Sequence, residues 1–180
     1  MRMRLVTPPA DEPVTLEVAR AHLRVDQADE DTLIAAYLTA SREVVEEATS
    51  RALVTQVWEV SFDAAEVAFG QPLLLPRQPV IEILSVTSVA PDGAEVAMTT
   101  ADYRVSSGLL SPATSWPVGS VRVQYRSGYG PPDAVPRALV AAILLGLGEL
   151  YESREASTAK ALTENPAFRR LTNLYRIVWP

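Results

Sequence analysis

Hydrophobic and polar positions change period twice along the chain. Residues 1–14 are proline-rich and read as extended. Thr15 then stands as a helix N-cap, and Leu16, Ala19 and Leu23 follow at helical spacing, which predicts a short helix to about Arg24. The segment VDQADED, 25–31, reads as a linker and the cap of a second helix, with Asp29 or Asp31 as N-cap. That helix is long, to about Arg51. Leu33/Ile34, Tyr37/Leu38, Ser41, Val44/Val45 and Ala48 draw its apolar stripe, and Glu43, Glu46 and Glu47 are expected off it. From Val57 the period becomes two: Trp58, Val60 and Phe62 alternate with Glu59 and Ser61. PLLLP (72–76) is a short apolar piece fenced by prolines, PVIEILSVTSV (79–89) is rich in β-branched residues, and EVAMT and DYRVSSG read as further strands, with a turn at Pro91-Asp92-Gly93. In GSVRVQYRSG (119–128), Val121, Val123 and Tyr125 face one way, and Arg122, Gln124 and Arg126 the other. Residues 55–128 therefore read as a small antiparallel β region set between helices.

Helical spacing returns at AVPRALVAAILLGLGELYESREA, 134–156. Pro136 opens it, and Leu139 to Leu145 are apolar on every side. Gly146 and Gly148 each cost a helix about 1 kcal/mol against alanine. The end carries Glu149, Glu152, Arg154 and Glu155. The apolar run is far shorter than the roughly 20 residues that span a bilayer, so burial in protein is expected. Ala138, Ala142 and Gly146 lie four apart and form a ridge that lets another backbone approach closely. Gly148, Tyr151 and Arg154 are assigned to the same packing surface. Ala36 and Ala40 of the long helix could face the ridge, or a neighbouring subunit could. Residues 153–165 hold few large apolar side chains and read as a link or a weak helix. Asn165-Pro166 then caps a last helix on which Phe168, Leu171, Tyr175 and Val178 share a face, with Arg169, Arg170 and Arg176 around it.

The architecture expected from this pattern is α+β. A short helix, a long second helix and a buried helix in the C-terminal half form a bundle, with an inserted small antiparallel β region and a C-terminal helical arm. The expected boundaries are 1–54 for the extended segment and two helices, 55–130 for the β region, 131–156 for the buried helix, and 157–180 for the link and arm.

Composition narrows the chemistry. Apolar residues make up 48% of the 180, enough for a real core. The absence of cysteine excludes disulfides, thiolate nucleophiles and cysteine-ligated metals, and fits a reducing compartment. No leader pattern is expected, because Met1-Arg2-Met3-Arg4 runs into prolines and acids. The single histidine, His22, lacks a serine or cysteine motif and reads as packed or solvated. No metal or cofactor is expected. The stretch DQADED lacks the glycine and closing glutamate of a calcium loop, and SGYGPP lacks a phosphate-loop lysine. The net charge of −6 is uneven: −9 over residues 11–66 and +2 over 137–180. An acidic body does not suit gripping nucleic acid, but it does suit contacts between unlike surfaces, as in head-to-tail assembly. The tail adds an apolar payload, Phe168, Leu171, Tyr175, Ile177, Val178 and Trp179, which must bury against the chain's own core or against a partner.

Four stretches together resemble the head–tail connector (adaptor) family of long-tailed phages and gene transfer agents. They are VTLEVARAHLRVD (14–26) with its acidic sequel, Trp116-Pro117, VQYRSGYG (123–130), and VPRALVAAILLGLGELYESREA (135–156) with the late LYRIVW (174–179). The resemblance implies a structural virion protein at the head–tail junction, assembled in the host cytoplasm, and no catalysis. It implies a homo-oligomeric ring, usually a dodecamer, beneath the portal protein. Such a ring extends the DNA channel and docks the next connector, stopper or tail protein. By position it makes residues 166–180 a portal-binding arm, with Phe168, Arg169, Arg170, Leu171, Leu174, Tyr175, Arg176, Ile177, Val178 and Trp179 as contacts. Glu43, Glu46 and Glu47 would then face the channel and repel DNA so that it slides. A non-virion assembly or tail-completion factor is the alternative. A carboxylate-based hydrolase ranks behind both, for want of histidine, cysteine and glycine-loop motifs.

Overall fold

Alternation in the last strand organises the β region. The computed structural model describes residues 1–67, 70–152 and 165–177, and divides into two units. One holds residues 1–10 and 55–129, the other 11–54 and 130–180. In the first unit the strands are β1 (Arg2–Thr7), β2 (Gln56–Phe62), β3 (Leu73–Leu74), β4 (Val80–Val89), β5 (Glu95–Ala97), β6 (Tyr103–Ser106), β7 (Leu109–Pro112) and β8 (Ser120–Ser127). A five-stranded antiparallel sheet runs β1-β2-β8-β4-β5, and a three-stranded one β3-β7-β6. Val121, Val123 and Tyr125 on β8 are buried, while Arg122, Gln124 and Arg126 are half-buried on the other face, as the sequence predicts. Directly opposed residues share a face, so Val60, Val123 and Val86 line up across three strands. The core of this unit joins them to Leu73 and Leu110 from the smaller sheet and to Leu75 just past β3, with Trp116 beside them. The Trp116 indole N–H donates to the Gln71 carbonyl at 3.0 Å, which gives its buried polar end a partner. The β6–β7 hairpin turns through Ser107 and Gly108, both at positive φ, the pairing that a two-residue turn of this twist requires.

β1 corrects the sequence reading. Residues 1–14 were expected to be extended chain beside the helices, yet Arg2–Thr7 pair with β2 and residues 1–10 count with the sheet unit.

The second unit is helical. Its helices are α1 (Leu16–Leu23), α2 (Asp31–Thr49), α4 (Arg137–Glu152) and α5 (Pro166–Asn173), while the one-turn α3 (Ala64–Val67) belongs to the sheet unit. The Thr15 side chain accepts from the Val18 N–H, as predicted. At the start of α2 neither Asp29 nor Asp31 caps: a 3-10 turn over Ala28–Glu30 leads straight into the helix, and Glu30 takes the cap position without a side-chain bond to the helix's own N–H groups. Ser50 ends α2 in the left-handed conformation, and its N–H and that of Arg51 satisfy carbonyls of the last turn. α2 packs on α4, and both touch α1 and α5.

Tyr125 anchors the sheet core. It is fully buried, and its hydroxyl donates to the Pro76 carbonyl at 2.6 Å. Burial pushes the phenol well above its ordinary value, a rise only partly opposed by Arg77. The folded state thus holds this proton where the unfolded chain would release it. Its contribution is complete below the unfolded pKa of 10.0 and falls as pH rises beyond it. Tyr125→Phe should therefore lower stability at neutral pH by about 1–3 kcal/mol, by stranding the Pro76 carbonyl. The same variant should flatten the alkaline loss of stability in denaturant titrations run above and below pH 10.0.

Candidate functional site

Among the described residues no cluster of histidine, cysteine or carboxylates could hold a metal, and no helix is long and apolar enough to cross a membrane. His22 is exposed, its Nε2 lying 3.7 Å from where a Cβ on Gly148 would stand.

α4 is covered on one face. Leu139, Ala142, Ile143, Gly146 and Leu147 are buried, while Ala138, Val140, Ala141, Leu144, Leu145 and Gly148 are half-buried. The ridge of small residues thus divides, with Ala142 and Gly146 inside and Ala138 at the margin. On α2 Ala40 is half-buried but Ala36 is exposed, so Ala36 does not face the ridge within the chain. Tyr151 closes the end of α4 by donating its hydroxyl to the Glu30 carboxylate. Arg154 lies outside the described residues.

The acids on α2 separate. Glu43 and Glu47 are exposed, but Glu46 is 5% exposed and so is Arg42. Glu46 therefore does not stand with Glu43 and Glu47 on an open face. Its Oε2 accepts from Arg42 Nη1 at 2.7 Å, and its Oε1 from the Leu53 N–H at 2.9 Å. Arg42 Nε donates to Glu12 Oε2 at 2.9 Å, and the Thr39 hydroxyl donates to Glu12 Oε1 at 2.9 Å. Sequence reasoning missed this network. Its trace is the Arg42–Glu46 spacing of four, interleaved with Leu38, Val45 and Thr49 on the buried side of α2.

The start of the arm is tied to its own chain. Asn165 caps α5 by accepting from the Ala167 and Phe168 N–H groups, as predicted. Phe168 and Thr172 are buried where α5 meets α4 and α2. Phe168 is thus an anchor within the chain, which corrects its assignment to a partner contact. The helix ends at Asn173, so Tyr175 lies beyond it and does not extend its face. Beyond the helix, Arg51 Nε donates to the Tyr175 carbonyl, and the Ile177 N–H to Thr49 O at 3.0 Å. Arg169, Arg170, Leu174 and Arg176 are exposed; Leu171, Tyr175 and Ile177 are half-buried. Val178 and Trp179 lie outside the described residues, as does the predicted link over 153–164.

The separation of the acids has a measurable consequence. Glu46→Ala should cost about 3–5 kcal/mol, because it removes the buried partner of Arg42 and leaves it only the half-exposed Glu12 and, at 3.7 Å, the exposed Glu43. Glu43→Ala, on the open face, should stay within about 0.5 kcal/mol of wild type. Urea midpoints of the two variants decide this, and equal midpoints would refute the burial of the pair.

Comparisons with known proteins point one way. Residues 13–88 match the family described as phage gp6-like head-tail connector protein, in agreement with the resemblance seen in the sequence. No curated protein matches the chain. Several solved structures share its fold. One is from a neck of an empty GTA particle computed with C6 symmetry, with TM-score 0.82 and 23% identity. Another is from a virion of a native gene transfer agent particle, with TM-score 0.83 and 24% identity. A third is from a neck of a native GTA particle computed with C12 symmetry, with TM-score 0.77 and 22% identity. Each likeness covers 100% of this chain and 97% of the other.

Proposed function

We propose that the chain is a structural protein of a phage or gene-transfer-agent particle, a head–tail connector that assembles as a ring at the head–tail junction. One observation carries the reading: the whole chain, both units included, has the fold of chains in structures of gene-transfer-agent necks and of a virion. The family match over residues 13–88 supports it independently. The ring would sit beneath the portal protein, extend the DNA channel and offer its other side to a stopper or tail protein. Within it, the exposed Arg169, Arg170, Leu174 and Arg176 are the part of the arm open to the portal, with Phe168 holding the arm's root in its own chain. Glu43 and Glu47 are the exposed acids of α2, and they would face the channel, where like charge keeps DNA from sticking. Ala138 and the half-buried side of α4 are the candidate helix contact with a neighbour.

Quantitative mass spectrometry of purified particles tests the reading. A ratio to the portal protein near one to one is expected. Absence from the particles would overturn it in favour of an assembly factor that leaves before completion. In particles that carry Glu43→Lys with Glu47→Lys, the copy number should be unchanged and DNA release slower. Release at the wild-type rate would remove these two acids from the channel wall.

A further inference from the structure

The five-stranded sheet has two edges, and they are not alike. β1 and β5 are each paired on one side only among the described residues. Registers place Met3 opposite Val60 and Leu5 opposite Trp58, so these two side chains continue the apolar core face to its margin. They remain 38% and 39% exposed there. Arg2 and Arg4 alternate with them and lie on the polar face, where Arg4 meets Glu59 at 3.0 Å. At the far edge the same face assignment holds with the sign reversed. Val96 opposes Ser88, which lines up with Val121 and Phe62 on the core face, and it is 61% exposed. Glu95 lies on the polar face, where it pairs with Arg122, and Asp92 is in the turn just before it. One edge is thus apolar inside and cationic outside, the other apolar inside and anionic outside.

Strand direction makes the two edges compatible. Every pairing in the sheet is antiparallel and there are five strands, so β1 and β5 run in the same direction. A second copy in the same orientation can lay its β1 beside this β5, parallel to it, with like faces on like sides. Apolar Met3 and Leu5 then come to Val96, and Arg2 and Arg4 come to Glu95 and Asp92. The two isologous arrangements lack this match: β1 against β1 sets arginine against arginine, and β5 against β5 sets acid against acid. Unpaired edges are ordinarily shielded by charge or bulges, and β1 carries both, with a bulge between Leu5 and Thr7. Shielding alone, however, calls for no opposite signs on the two edges, and no shared apolar face.

We infer that the β1 edge of one copy joins the β5 edge of the next, in a heterologous contact that repeats from copy to copy. Such a contact closes into a ring when its rotation allows. The inference rests on the connector reading, for which it supplies the surface between subunits.

The chain has no cysteine, so introduced ones report alone. Val96→Cys, combined in turn with Met3→Cys and Leu5→Cys, should give a ladder of trimers and larger species when particles are treated with a short bis-maleimide and denatured. The single variants should stay monomeric. A dimer from Met3→Cys alone would mean an isologous edge and overturn the inference. So would monomers only, from particles holding normal amounts of a double variant. Where a double variant fails to enter particles, charge decides. Arg2→Glu with Arg4→Glu should cut the copy number at least tenfold, and adding Asp92→Arg with Glu95→Arg in the same chain should restore it. Unchanged copy number after the first reversal, or no recovery after the second, overturns the contact. Absence of the wild-type chain from particles is a separate result that strikes the connector reading instead.

Discussion

A guanidinium buried in the middle of a helix must be neutralised where it stands. Arg42 sets that condition for the helical unit. It sits on the inward side of α2 with Val45, and taking its charge out of water costs several kcal/mol before any partner is counted. Glu46, one turn along the same helix, and Glu12, from the segment that enters the unit, supply the opposing charge. The second oxygen of Glu46 holds the Leu53 N–H, two residues after Arg51 and one before the chain leaves the unit at Val54. A single network thus fixes where the chain arrives on α2 and where it departs. Apolar packing of α2 on α4 and α5 would tolerate small slips along the helix. The fixed geometry of the charged hydrogen bonds would not.

The sheet unit is held by a different means. Its core joins residues of two sheets, and two of its aromatic polar ends meet carbonyls there, Tyr125 on Pro76 and Trp116 on Gln71. On the opposite face charge is handled in pairs across strands, Arg4 with Glu59, Arg122 with Glu95 and Arg126 with Glu82. Those pairs are largely solvent-exposed, and each is worth little to stability. Their positions matter more than their energies, because they leave a cation row at one edge and an anion row at the other.

Much of this was legible. The alternation in β8 is complete in the sequence because both of its neighbours are present and one of its faces is wholly buried. Thr15 and Asn165 were legible as caps because capping is local. β1 was not, although Met1, Met3 and Leu5 alternate with Arg2 and Arg4. Its partner β2 begins at Gln56, about fifty residues on, and the prolines behind β1 suggested open chain. Glu46 was missed because a glutamate is exposed by default, and only its partners reveal otherwise. Phe168 was misplaced for a related reason. An aromatic at helical spacing must be buried, but periodicity does not say whether its own chain or another buries it. The half-buried side of α4 presents the same ambiguity, since among the described residues only one face is fully buried.

These misses share a physical cause that bears on function. Each concerns a surface whose partner is distant in sequence: β2 for β1, α4 and α2 for Phe168, Glu12 for Arg42. A catalytic centre would announce itself by residue type, since general acids, nucleophiles and metal ligands are few in kind. An assembly surface has no such vocabulary. It is built from ordinary residues, and what marks it is arrangement: an odd number of antiparallel strands, a face left apolar at both margins, and opposite signs beyond it. In the contact inferred above, two edges that match when copies share an orientation disfavour a closed twofold dimer through this sheet and favour repetition in one direction. That geometric demand is the one a ring of equivalent subunits makes of each of its members.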